Sequence, residues 1–433
     1  MRWLLVSAQH HPSHGGIGTY VSRFVEAATD AGWSVDLITR PGDLHPAKAK
    51  IHQLTTLDQD DSFQDRIAGL RKIERIRPYR YALWAKSVAE HLLKMQPNFD
   101  AVEFVDCQAE GYAALCSPRV RRRWRGVPMI VHAHTPMFIE EQINGCDPNR
   151  FGRAIYHRWE RAALENYDGI IVTSRLLAQR MPRGVPCQVI PYPIKSTNAI
   201  GPAKPRRDQI LFAGSIQPRK GVDVWARSLN GVFHARPEMS AAMVGPDTLN
   251  GPGASSMVDH VMGLLAPEFR NRLQWLGARP HHEVLRLMAD AALVVVPSVF
   301  ESFSFVAAEA LDLGTPVLVS DQVGLAEHVP DMPQCAAGDA DALAHAQLEL
   351  LANPRTTAEI ASRCRERLHA ACSPQRHLRD RREFVRSVQA ALDCRTPDVL
   401  EVDGLDEVES FIDATERAEA AEASALACSN AVS

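Results

Sequence analysis

Short apolar blocks alternate with stretches of helical spacing along most of the chain. Arg2 to Ser7, Val35 to Thr39, Ala101 to Val105, Pro128 to Ala133 and Gly169 to Ser174 form one set of blocks. Gln209 to Ala213, Ala242 to Gly245, Leu273 to Gly277, Leu293 to Val296 and Val317 to Val319 form a second. Continuous apolar runs of this length, rich in β-branched residues, predict strands covered on both faces, as in parallel sheets. Between them the period changes. Val21, Phe24, Val25 and Ala28 share a helical face that Gly32 ends. Further helices are expected near Tyr81 to Met95, Glu110 to Cys116, Ser174 to Met181, Glu283 to Ala289, Asp341 to Ala352 and Pro374 to Leu392. The rhythm is βαβ given twice, so the predicted class is α/β with two Rossmann-like parallel-sheet domains.

The most informative stretch is Ala291 to Ser320. A buried strand stops at Pro297 and Ser298, a polar loop follows, and Ser302 or Ser304 caps a short helix from Phe305 to Leu313. Gly314 and Pro316 end that helix before the next strand. Loop N–H groups and a helix N-terminus then converge at the sheet's carboxyl edge, where an anion can be held. Glu301 lies in the loop, and Glu309 lies five residues past Ser304, about 7 Å along a helix axis. One long ligand could touch both.

The pattern P-S-x-x-E-S-F-x-x-V-x-x-E-A-x-x-x-G-T-P-V, from Pro297 to Val317, resembles the donor-site signature of family-four glycosyltransferases of the GT-B fold, the glycogen synthase and sucrose synthase type. The resemblance implies two domains facing across a cleft and a nucleotide-diphosphate sugar as donor substrate, with retention of configuration and neither metal nor cofactor. It implies that Glu301 contacts the sugar, that Glu309 holds the ribose, and that the amides of Ser302, Phe303 and Ser304 meet the diphosphate. Ser304 departs from the Gly usual there. Gly214 to Gly221 resembles the family loop G-R-x-x-x-x-K-G, in which an Arg and a Lys clamp the diphosphate. Lys220 and Gly221 match, Ser215 stands where the Arg is expected, and Arg219 is the candidate to supply that charge. His132-Ala133-His134 resembles the strand end whose His reaches the donor sugar, with His134 the better match. The two histidines are expected on opposite faces and not as joint metal ligands. Gly15 and Gly16 form a glycine-rich first turn, and Gly245 and Gly277 end strands on the donor side, Gly277 with Arg279 where the family places the nucleobase.

Composition changes the picture little. At 433 residues, 45% hydrophobic and 23% charged, the chain is of ordinary globular make-up and long enough for two cores. No apolar run approaches the roughly 20 residues of a membrane span. Nine scattered cysteines without C-x-x-C argue against a disulfide framework or a zinc site and point to the cytoplasm. The first turn is not G-x-G-x-x-G, which counts against a nicotinamide enzyme. Asp58-Gln59-Asp60 is read as a solvated acidic loop in the polar stretch from 40 to 80, with the metal-binding D-x-D of the other glycosyltransferase fold as the alternative.

Charge is uneven. From Thr396 on, ten acids face Arg417 alone, a charge of −9, which leaves the body at +5 within a total of −4. That is no nucleic-acid footprint. Arg119, Arg121, Arg122, Arg123 and Arg125 surround Trp124, either an exposed helix end or a peripheral docking point on the inner membrane face. The expected layout is an N-terminal acceptor domain over 1–192, a linker over 193–207, a donor domain over 208–374, a crossover helix over 375–395 and a largely disordered acidic tail over 396–433. The function expected is transfer of a sugar to a glycan, lipid-linked or small-molecule acceptor, in polysaccharide or glycoside synthesis. An epimerase on the same fold and a non-catalytic donor-binding subunit are the other readings.

Overall fold

The computed structural model describes residues 1–9, 15–42, 48–55, 76–149, 152–196, 206–393 and 403–431. Its first sheet holds β1 (Arg2–Val6), β2 (Ser34–Thr39), β3 (Lys50–Gln53), β4 (Ala101–Val105), β5 (Met129–Ala133), β6 (Gly169–Val172) and β7 (Cys187–Val189). All pairs are parallel, in the order β3-β2-β1-β4-β5-β6-β7. The second sheet holds β8 (Arg206–Ala213), β9 (Ser240–Val244), β10 (Leu273–Trp275), β11 (Ala291–Val296), β12 (Val317–Ser320) and β13 (Gln334–Cys335), also parallel, in the order β10-β9-β8-β11-β12-β13. Each sheet therefore has one point where strand order reverses, β1/β4 in the first and β8/β11 in the second. The central strands match the apolar blocks. The short β3, β7 and β13 have too few apolar residues to stand out, and β3 lies in the stretch read as polar loop. Asp58 and Asp60 lie outside the described residues.

The helix Pro374–Asp393 packs on the first sheet, not on the lobe it follows in sequence: a Cβ on Gly169 at the start of β6 would meet Phe384 at 2.7 Å and Val388 at 2.9 Å. Arg381, fully buried, is its anchor. One guanidinium nitrogen bonds Glu103 of β4, and the other reaches Tyr20 Oη at 2.9 Å and His132 Nδ1 at 2.7 Å. Tyr20 also donates to Glu103, and Trp3 Nε1 donates to it at 2.8 Å. Every polar atom of that carboxylate has a donor, the condition under which a buried charge is tolerated.

Two expectations fail here. The acidic tail is not disordered: Gly404–Ala431 is a helix. Leu405, Val408 and Ile412, three to four residues apart, form an apolar stripe buried in the first lobe's core, and Phe411 meets Trp159 edge-on at 5.3 Å. Its acids find partners too. Glu407 accepts from Tyr112, from Arg158 and, at 3.1 Å, from Trp159 Nε1, while Glu409 pairs with Lys86 at 3.1 Å. Nor is Trp124 exposed at a helix end. It is buried, with Nε1 donating to Leu92 O at 2.9 Å. Around it Arg121 grips Asp168 through both terminal nitrogens, Arg123 bonds Met95 O, and Arg119 meets Asp403 and Asp406. Arg119, Arg121 and Arg123 thus fasten helices to their neighbours, while Arg122 and Arg125 are exposed.

Candidate functional site

The carboxyl edges of the two sheets meet at a seam, and the loops after β11 and β8 build its core. Lys220 Nζ bonds Glu301 Oε2, Arg219 Nη1 approaches the same oxygen at 3.6 Å, and Ser298 Oγ lies at 3.4 Å from it. Burial works against ionisation of Glu301, but Lys220 and Arg219 outweigh it and hold the carboxyl below its ordinary range. Burial, with Arg219 nearby, likewise lowers the Lys220 ammonium. Gly221 lets this contact form. With φ 67°, it packs so closely under the strand end that a Cβ would lie 1.9 Å from Pro297 O.

Ser304 is the helix cap, its Oγ accepting from Ala307 N at 3.2 Å. It also has φ 94°, a left-handed value natural for the family's Gly and strained for Ser. The Oγ cap and the close packing of Phe303 and Phe305 on Tyr192 hold it there. The helix it starts, Phe305–Asp312, buries Glu309. One Glu309 oxygen receives Arg23 of the other lobe at 2.6 Å, and the second lies 3.1 Å from His281 Nε2. That hydrogen bond raises the pKa of His281.

The first lobe contributes through His134 and Thr135. His134 Nδ1 bonds Tyr192 Oη, whose ring stacks on Phe305 at 4.8 Å and 7°, and Thr135 Oγ1 donates to Ser302 Oγ at 3.2 Å. Burial lowers the His134 pKa to about 3, so the imidazole is neutral at working pH, and its Nε2 has no partner. The expectation that His132 and His134 face opposite sides is wrong. Residues two apart on a strand share a face, and the rings stack at 5.2 Å and 16°. A Cβ on Gly16 would meet the Phe305 ring at 3.9 Å, which puts the first turn across from the donor loop, with Gly15 beside it at φ 83°. Gly245, with φ 147°, lies so close to the end of β8 that a Cβ would be 1.9 Å from Gly214 O, and it donates to Gly277 O at 2.9 Å.

Glu301, Ser302, Phe303, Ser304, Glu309, Lys220, Arg219, His134 and Gly16 thus meet along one seam. Arg219 is no free stand-in for the Arg missing at Ser215. It is buried, its side chain reaching Phe300 O at 3.2 Å and Glu140 at 3.4 Å, and its N–H donates to Asn144 at 3.0 Å. Arg279 is exposed and bonds Leu276 O. Four participants escaped the sequence: Tyr192, hidden in a proline-rich domain end; Arg23, on a helix read only for its apolar face; His281, read as a cap or surface residue; and Asp106. Asp106 follows β4, is 6% exposed, and has no hydrogen-bond partner on either oxygen. Among the described residues no three His, Cys, Asp or Glu side chains gather as a metal site.

Direct contacts hold the lobes together. Thr173 Oγ1 donates to Ser302 O at 2.8 Å, and Glu327 accepts from the N–H groups of Arg175 and Leu176 at 2.7 and 2.9 Å, capping a helix of the opposite lobe.

Two family models match, glycosyl transferase 4-like domain over residues 15–193 and glycosyl transferases group 1 over 207–353, together covering most of the chain. A D-inositol 3-phosphate glycosyltransferase of a Nocardioides species is 29% identical over 352 residues, 73% of this chain and 72% of its own length. One from Streptomyces coelicolor is 36% identical over 161 residues, 33% of each chain. Among solved structures, the sucrose-phosphate synthase of Thermosynechococcus elongatus superposes with a TM-score of 0.65 at 22% identity, over 90% of this chain and 99% of that one. HepE of Anabaena, solved with UDP and glucose, gives 0.62 at 17% identity, over 89% and 100%. At those identities the structural likeness shows the fold. Sequence signature, paired parallel sheets and matched families converge, and the chain belongs to the family-four glycosyltransferases of the GT-B fold.

Proposed function

We propose that this glycosyltransferase takes its sugar from a nucleotide-diphosphate donor and passes it, with retention and without a divalent ion, to a hydroxyl of a glycan, lipid-linked or small-molecule acceptor. The observation that carries the reading is Lys220 held against Glu301 beside the Ser304-capped helix start. In the reaction the acceptor oxygen bonds to the anomeric carbon as the bond from that carbon to the β-phosphate oxygen breaks. Both electrons of that bond go to the phosphate, and the acceptor's proton passes to the same phosphate on the same face of the sugar. Lys220 and the amides of Ser302 to Ser304 are placed to stabilise the charge developing on the phosphate, as preorganised donors do. Glu301 accepts from sugar hydroxyls, the open Nε2 of neutral His134 bonds another, and Glu309 receives the ribose once His281 or Arg23 yields. UDP in HepE and the inositol phosphate in the relatives' names are in keeping with this donor and with a small polyhydroxylated acceptor. The free cysteines favour a reducing, cytoplasmic setting.

Titration of a panel of nucleotide sugars, followed by donor hydrolysis in chelator, tests the reading. Wild type is expected to bind and slowly hydrolyse one donor in the absence of metal, and Glu309→Ala to lose affinity for it. Products analysed without acceptor separate transfer from epimerisation. A wild type that binds no nucleotide in calorimetry overturns the proposal.

A further inference from the structure

Asp106 follows β4 where β1 and β4 part, the first sheet's counterpart of the β8/β11 point that holds Lys220 and Glu301. Ligands of open parallel sheets enter at such points, outside the carboxyl ends of the strands. At this one the polar groups are unsatisfied. Asp106 stands at the N-cap position of the turn Cys107–Ala109 with no side-chain bond to it, and the N–H groups of His134 and Thr135 lie near enough to draw its pKa down without reaching hydrogen-bond geometry. Gln108 Oε1 is buried and unpartnered as well. The backbone is strained beside them: Gln108 has φ 63° and Ala109 φ 54°, left-handed values in two successive residues that are not glycine. Buried acceptors without donors, and strain, both disfavour the folded chain. A ligand bringing O–H or N–H groups would satisfy both oxygens.

The surroundings narrow its class. Burial, and after it Glu140, pushes the Asp106 pKa up to about 7. Glu110, raised to about 8, and Glu160, raised well above its ordinary value, act on the same cluster, with Arg40 offsetting Glu110. Asp106, ionising near neutral pH, and Glu140 beside it oppose a phosphate, while Glu110, its pKa about 8, is largely protonated there and adds no charge of its own. A neutral or cationic hydroxylated group meets no such opposition.

We propose that Asp106 and Gln108 form an acceptor subsite, in which the carboxyl and amide oxygens take hydrogen bonds from neighbouring hydroxyl or amino groups of an uncharged or cationic sugar or polyol. This deepens the proposed transfer and rests on it. The subsite adjoins the seam through His134 and Thr135, whose side chains touch Tyr192 and the donor-loop Ser302. Tyr192 bridges the two sides, since Asp106 and Glu301 both act on its hydroxyl.

Calorimetry on the full chain tests this, with inositol, glucosamine and the monophosphate of each titrated with and without saturating UDP. Wild type is expected to bind at least one unphosphorylated probe, and Asp106→Asn to weaken it by about tenfold, the loss of one charge-assisted hydrogen bond. UDP affinity should stay within about twofold and the melting temperature should not fall, because removing an unpaired charge does not weaken the fold. Gln108→Leu should weaken the same probe. Preference for the phosphate esters, binding unchanged in Asp106→Asn, or no binding of any unphosphorylated probe overturns the proposal. Failure to bind UDP or any other nucleotide overturns the donor reading instead, and the titrations without nucleotide still report on Asp106.

Discussion

Glu103 and Asp106 stand three residues apart on one strand and its exit, both buried, and they differ in everything that surrounds them. Glu103 receives Arg381, Tyr20 and Trp3, while Asp106 receives nothing. The first carboxylate fastens a helix to a sheet. The second is a group the fold tolerates at some expense, and such groups gather where a ligand completes them. Glu301 falls between the two, with Lys220, Arg219 and Ser298 all gathered on its Oε2.

The largest effect should come from breaking the satisfied end of this series. Arg381→Met strands Glu103 and is expected to lower unfolding free energy by about 3–5 kcal/mol in denaturant titration, much of which Glu103→Leu in the same chain should restore. The unsatisfied end should answer in the opposite sense. The carboxyl pKa of Asp106 is 3.8 unfolded and about 7 folded. The folded state therefore holds the proton over that window, and the group's contribution to stability is complete below pH 4 and lost as pH rises through 7. Asp106→Asn should match wild type near pH 4 and exceed it by up to about 4 kcal/mol above pH 7, read from melting curves across pH. A variant that tracks wild type throughout would erase the contrast with Glu103. For the intermediate pair, Lys220→Ala is expected to lower kcat by about 10²–10³ and to destabilise less than Arg381→Met, because Arg219 stays beside Glu301. Glu407→Ala, which removes one paired carboxylate from the tail helix, should cost about 1–2 kcal/mol and leave kcat unchanged.

Legibility followed the reach of each interaction along the chain. The donor loop could be read because strand, loop, cap and both glutamates are consecutive, so local chemistry and spacing suffice. The Glu103–Arg381 pair could not, since its members are 278 residues apart. Asp106 could not for a different reason: its significance is the absence of partners, and a run such as Glu103-Phe104-Val105-Asp106 shows only that two acids are present. The tail misled because Leu405, Val408 and Ile412 form a stripe too short to trust until the surface that buries it is seen. Trp124 with its arginines misled because composition gives no sign of which face of a helix looks inward. Ser304 departs visibly from the signature's Gly, and the structure gives that departure its meaning, a cap that holds a left-handed backbone.

The return of Pro374–Asp393 to the first sheet has a consequence for synthesis on the ribosome. The lobe made first cannot finish its interior until this helix emerges after the second lobe, so Trp3, Tyr20 and Glu103 wait without it through the whole of the second lobe's translation. A first lobe made without that helix should aggregate, and a second lobe carrying it alone should leave Phe384, Val388, Leu405 and Val408 uncovered.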